Sequence, residues 1–279
     1  MKKYKILVWL GIMAALTLLA VGIWFVCGGD ARSTNSLKWL QFLQTAGTFL
    51  VPPFICAWLW SDDHQPLAWL KLSNHQSPIT NDQYILAILI MVCALPGINL
   101  LADLNSRIQL PESLASIEQI LKQQEEAAAL LTERFLQADN IAVLILNIGL
   151  MALLPAFAEE LSFRGILQQM LSNKHLAIWI TAFVFSAIHM QFYGFIPRML
   201  MGAMFGYLFV WSGSLWIPIV MHFTNNGIAV IVYYILGETI EGKNYADSIG
   251  VGTTWWLGVL SIVLTSLGLL IFYRRTHTR

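Results

Sequence analysis

The sequence predicts an all-α, polytopic membrane protein with about eight transmembrane helices and one extracytoplasmic amphipathic helix. Three observations carry this. Hydrophobic residues make up 57% of the 279 residues and charged residues 11%. The apolar residues fall in long blocks, which a soluble chain of this size does not show. Basic residues sit just outside the first and last blocks.

Blocks long enough to cross a hydrocarbon core of about 30 Å occupy residues 6–26, 39–60, 84–101 and 141–171. Four more follow at 175–192, 195–211, 215–236 and 253–273, the first two of them short. Lys2, Lys3 and Lys5 precede the first block, whose 21 residues exceed the usual apolar core of a cleaved signal peptide, about 7 to 15 residues, so it reads as a retained anchor. The same lysines place the N-terminus in the cytoplasm. Arg274, Arg275 and Arg279 place the C-terminus there as well, and eight crossings satisfy both ends. Pro52 and Pro53 stand mid-block and are expected to kink the second span. The eleven tryptophans suit interfacial belts.

Residues 102–139 carry three basic side chains and seven acidic ones, 3 − 7 = −4, and are expected to lie outside. After Pro111 an amphipathic helix is predicted, with Leu114, Leu121, Ala128 and Phe135 every seven residues and Ile117 and Leu131 between them. The chain divides into residues 1–140, N-terminal spans with this linker, and residues 141–279, a catalytic core. Cys27, Cys56 and Cys93 are odd in number and lack C-x-x-C spacing, so they read as packing residues. The charge balance is zero and no basic stripe alternates with aromatics, which gives nucleic-acid binding no support.

Function is concentrated between residues 159 and 226. Glu159, Glu160, Arg164, His189, Arg198, His222 and Asn226 all fall inside apolar runs. An ionisable group at bilayer depth costs roughly 2.5 to 3.5 kcal/mol on insertion scales, so a cluster implies a protein-lined cavity with a task. A hairpin turning near Asn173 places Glu159 fourteen residues before the turn and His189 sixteen after it, about 21 and 24 Å along a helix. A second turn near Gly213 puts Arg198, His222 and Asn226 at about 22, 14 and 20 Å. These side chains therefore approach one layer, although spacing alone does not give them a common azimuth.

Glu160 and Arg164 are i and i+4 and can pair, while Glu159 is turned about 100° away. His222 and Asn226 are also i and i+4 and could aim donors at one developing oxyanion. Pro155, four residues before Glu159, removes a backbone donor and opens space. Each feature also has a purely structural reading: a neutralised clamp for Glu160 and Arg164, a hydrogen-bonded core histidine for His189, a link between helices for His222 and Asn226. Their coincidence at one depth favours a shared site.

These residues resemble a known family. Glu159-Glu160-Leu161-Ser162-Phe163-Arg164 is similar to the E-E-x-x-x-R motif of the CPBP intramembrane proteases, also called the CAAX protease and bacteriocin-processing or Abi family. Phe185 to His189 matches F-x-x-x-H, and His222 to Asn226 matches H-x-x-x-N. The three in order are specific, none departs from its pattern, and the resemblance covers about residues 154–227. It implies proteolysis in the membrane, with Glu159 as general base, His189 holding and polarising the water, His222 and Asn226 forming the oxyanion site, and Glu160 and Arg164 positioning them.

Relatives are often labelled metalloproteases, and Glu159, His189 and His222 would be the ligand set if a metal were present. The expectation is nonetheless no metal and no other cofactor: there is no H-E-x-x-H, and Asn226 is a poor zinc ligand. The expected partners are membrane lipid and a membrane-associated protein or peptide substrate, with no nucleic acid, in a bacterial cytoplasmic membrane. Family substrates include prenylated CAAX proteins, and bacterial relatives are linked to peptide maturation, bacteriocin immunity or membrane-protein cleavage. A proton-coupled transporter using Glu159, His189 and His222 as a relay is a rival, weakened by the lack of an inverted repeat. A non-catalytic immunity-type protein is another, weakened by the intact motifs.

Overall fold

Apolar blocks bounded by polar or turn-forming residues become helices, and the boundaries are chemical. In the computed structural model residues 2–73, 79–237 and 248–277 are described, apart from the side chains of Lys2, Lys3 and Asp63. The Lys2, Lys3 and Arg279 charges used above for orientation thus lie outside the described residues. The elements are α1 (Lys2–Val26), α2 (Thr34–Trp60), α3 (Asn81–Ser106), α4 (Ala115–Leu136), α5 (Ile141–Gln168), α6 (Lys174–Ala187), α7 (Phe195–Ser212), α8 (Trp216–Leu236) and α9 (Trp255–His277). The protein is an all-α, multi-pass membrane protein. Seven helices are long and apolar enough to cross a bilayer among the described residues, every one named here except α4 and α6.

Caps explain several starts. The Ser33, Asn140 and Asn173 side chains accept from the backbone N–H of Ser36, Val143 and Leu176, and Thr80 with Gln83 forms a capping box at α3. Gly213 ends α7 at φ +66°, a left-handed conformation that glycine adopts without a Cβ penalty. The expected turns at Asn173 and Gly213 are where the chain reverses.

The prolines act through helix register. A π-helical stretch, Ala46–Leu50, stands immediately before the segment containing Pro52 and Pro53, and another, Ile148–Leu153, stands before Pro155. A proline removes one i→i−4 hydrogen bond, and the wider turn accommodates the carbonyl that loses its partner. In α3, next to Pro96, the Ser261 hydroxyl of α9 accepts from Gly97 N–H at 2.9 Å and donates to the Cys93 carbonyl. Those two backbone groups pair with each other in a regular helix, so Ser261 is inserted into the ladder and ties α9 to α3.

Two expectations change. The fifth apolar block, expected to run to residue 192, is helical only over Lys174–Ala187. At 1.5 Å per residue its 14 residues reach about 21 Å, short of the hydrocarbon core. The chain returns through a loop whose backbone is satisfied by protein: Asn105 donates to Phe192 O and accepts from Ile196 N, and Glu125 accepts from Tyr193 N. The second change is the inward face of α4. Leu121, Ala128 and Phe135 do turn toward the protein, but Glu118 and Glu125 join them, while Leu114, Ile117 and Leu131 are exposed. Three of the four residues of the seven-residue repeat mark the right stripe; the fourth, Leu114, is exposed instead, as are Ile117 and Leu131 between them.

Of the cysteines, all three are free. Cys56 is buried and Cys93 partly so, but Cys27 is exposed and is not a packing residue.

Candidate active site

The site is built on α5, α6, α7 and α8. Within α5, residues Leu154–Glu160 are α-helical and Leu161–Gln168 continue as a π-helical stretch. Glu160 points inward and is fully buried, as is Arg164. Arg164 Nη1 donates to Glu160 Oε1 at 2.6 Å, and Nη2 donates to the Gly202 carbonyl at 2.8 Å. One turn on, Gln168 Nε2 donates to the Gly206 carbonyl at 3.1 Å. Arg164 and Gln168 are thus i, i+4 on α5 and reach carbonyls that are i, i+4 on α7, where two glycines let the helices approach. A Cβ at Gly206 would lie 2.8 Å from Gln168 Oε1.

The guanidinium of Arg164 lies 4.9 Å from the Phe185 ring centre and 5.4 Å from that of Phe205, so two aromatic faces enclose the charge. His222 Nδ1 is 2.9 Å from the same Glu160 oxygen that Arg164 uses. Helical spacing pairs Glu160 with Arg164 but does not show this second partner; one carboxylate oxygen has two lone pairs and serves both. Glu160 is therefore the hub between α5 and α8.

Glu159 is separated from this cluster, as the 100° offset predicts. Its carboxylate approaches the other face of His222, with Oε2 3.9 Å from Nε2. His189 sits two residues past the end of α6, where its Nδ1 is 2.7 Å from the Phe185 carbonyl. The next residue, Met190, has φ +54°, an unusual conformation for a long side chain, and it reverses the backbone beside the histidine. Asn226 donates weakly to the Met151 carbonyl at 3.4 Å and accepts from Asn225 Nδ2 at 3.0 Å.

A cavity of about 370 Å³ joins these groups. Its wall includes Glu159, His189, Arg198, His222, Asn225 and Asn226. The structure thus brings together four of the six residues named from the motifs, and places Glu160 and Arg164 behind His222 rather than on the cavity. Asn225 was missed by sequence reasoning. It belongs to the same helical turn as His222 and Asn226, but no charge or periodicity singled it out. Lys38 was also missed: it is buried near the start of α2 and donates to Asn147 Oδ1 at 2.6 Å. It stands at the edge of an apolar block, where no motif or periodicity singles it out.

The structure also bears on metal binding. Both histidines have Nδ1 engaged, by Glu160 and by the Phe185 carbonyl, which is how metal-bound imidazoles are commonly oriented. Partners that orient the two rings are thus present. Among the described residues no group of three His, Cys, Asp or Glu side chains is gathered closely enough to hold one ion.

Fold and cavity define a class: a multi-pass α-helical membrane protein with a buried Glu–Arg–His cluster behind a cavity that Glu159, His189 and Arg198 help to line. Residues 141–228 match the Rce1-like family, described as type II CAAX prenyl endopeptidase, in accord with the CPBP resemblance of the motifs. An uncharacterized protein of Bacillus subtilis (strain 168), YpbD, is 34% identical over 81 residues, 28% of this chain and 40% of YpbD. The chain thus aligns with about two-fifths of that relative's length. No solved structure matches the chain.

Glu160→Gln is expected to lower thermal stability in detergent substantially, because breaking a buried ion pair strands Arg164 at a cost of roughly 3 to 5 kcal/mol. Glu159→Gln, at the cavity wall, should shift the unfolding temperature far less. Equal shifts in a thermal melt would contradict this division.

Proposed function

We propose that the protein is an intramembrane endopeptidase that hydrolyses a peptide bond of a membrane-associated protein or peptide. The observation that carries this reading is the single cavity lined by Glu159, His189, His222 and Asn226. The Rce1-like match over the segment bearing those residues supports it.

In the proposed mechanism the Glu159 carboxylate takes a proton from water as the oxygen attacks the scissile carbonyl. His189, its Nδ1 directed to the Phe185 carbonyl, offers Nε2 to that water. Negative charge on the carbonyl oxygen is met by His222 and Asn226. With Nδ1–H given to Glu160, His222 has a proton to donate from Nε2 only as the imidazolium, so the oxyanion role requires that form. The proton held by Glu159 then passes to the leaving amine, restoring the carboxylate. Glu160 and Arg164 act by positioning His222.

The enzyme is proposed to work in a bacterial cytoplasmic membrane with both termini in the cytoplasm, α4 outside, and lipid and substrate as its partners. A proton relay through Glu159 and His222 is the second reading, favoured by their 3.9 Å separation.

Glu159→Gln should abolish turnover while leaving the protein inserted and folded. Quantitative proteomics of membranes containing wild type or this variant should reveal peptide termini that depend on the glutamate. Their absence at equal protein levels would remove the protease reading.

Topology is checked with an impermeant thiol reagent on intact cells, in a Cys27→Ser background because Cys27 is itself exposed. A cysteine at Gln123 should label and one at His277 should not; the reverse pattern inverts the orientation.

The proposed chemistry needs no metal. Prolonged treatment of active protein with a strong chelator should leave turnover unchanged, with no stoichiometric zinc by elemental analysis. Activity lost with zinc and restored by adding it back would replace the proposed base with a metal-bound water.

A further inference from the structure

The cavity wall contains one charged side chain that this chemistry leaves unused. Arg198, in the first turn of α7, stands in the same wall as Glu159, His189 and His222. Among the described residues its guanidinium makes one hydrogen bond, from Nη2 to Gln191 Oε1 at 2.5 Å, and its enclosed Nη1 has no acceptor. No carboxylate stands within ion-pair distance of it among those residues. Glu125 and Glu159 act on it only at longer range.

The contrast with Arg164 is informative. Arg164 has a carboxylate, a backbone carbonyl and two aromatic faces. A guanidinium offers five N–H donors in a planar fork that matches a carboxylate, and a partly buried charge without an anion is costly to keep. The surroundings also make room for the group. Gly194, another wall residue, leaves bare backbone against it: a Cβ there would lie 3.1 Å from Arg198 Nη2.

We propose that Arg198 is a substrate-binding residue that receives a carboxylate of the peptide, either its chain terminus or an acidic side chain. Arg198 and Glu159 line the same cavity, so the carboxylate it receives belongs to the segment of substrate presented to Glu159. This deepens the protease reading by naming a feature of its substrate, and it rests on that reading only in taking the ligand to be a peptide.

The test is a binding measurement, so it stands apart from turnover. Purified protein in detergent is immobilised as Glu159→Gln, alone and combined with Arg198→Gln or Arg198→Lys. Each is offered three pools of N-acetylated apolar hexapeptides: free acids, C-terminal amides, and amides carrying one aspartate at the third position from the end. Retained peptides are counted by mass spectrometry. With Arg198 present, carboxylate-bearing peptides should be retained roughly tenfold or more over plain amides. Arg198→Gln should abolish the preference and Arg198→Lys should weaken it.

Retention of the acids alone identifies the chain terminus as the source. Retention of the aspartyl amides identifies the side chain. Equal retention of all three pools, or a preference unchanged by Arg198→Gln, overturns the proposal. If Arg198→Gln does not fold, Arg198→Lys decides at matched unfolding temperature, and an undiminished preference there overturns it too. Failure to find Glu159-dependent cleavage would remove the protease reading without altering these binding outcomes.

Discussion

The Glu160 carboxylate is the point on which the rest of the core depends. Two fixed charges at bilayer depth are tolerable only as a pair with further hydrogen bonds, and Glu160 with Arg164 sets those demands on every neighbouring helix. Arg164 needs an acceptor, which the Gly202 carbonyl supplies, and this holds α7 against α5. It also needs its flat faces covered, which Phe185 of α6 and Phe205 of α7 do. Glu160 takes its second donor from His222, which fixes α8. One ion pair thus sets the relative placement of four helices.

Its satisfaction is incomplete: Glu160 Oε2 and Arg164 Nε have no hydrogen-bond partner among the described residues. Such a pair contributes little net stability compared with an apolar core, but losing either member is severe. That asymmetry suits a positioning device. His222 is held by a group that cannot relax toward solvent, and its opposite ring nitrogen is presented to Glu159, one residue along the same helix.

Irregular backbone accompanies the site. A chain crossing a bilayer can leave helical geometry only where protein satisfies the freed groups. Here π-helical stretches flank residues 154–160, α6 stops short, and Met190 takes a left-handed conformation. Asn105 and Glu125 then supply the hydrogen bonds that the loop lacks. The cavity forms beside these departures because a continuous regular bundle would close it with side chains.

The sequence by itself determined the class of the protein and the identity of most of the cavity's polar groups. Long apolar blocks report the membrane because hydropathy is a local property, and the i, i+4 relation of Glu160 to Arg164 is fixed by helical geometry wherever the helix lies. Asn173 and Gly213 marked turns for equally local reasons, a capping side chain and a residue free to take positive φ. What only the tertiary structure decided is azimuth and partnership. Spacing put Glu159, His189, His222 and Asn226 near one depth, but only packing turned them to one cavity. Glu160 serving His222 as well as Arg164, and Lys38 meeting Asn147 across 109 positions of sequence, are contacts between distant segments. No local pattern encodes such contacts, because they depend on how close the helices come, and at α7 that is set by the missing side chains of Gly202 and Gly206.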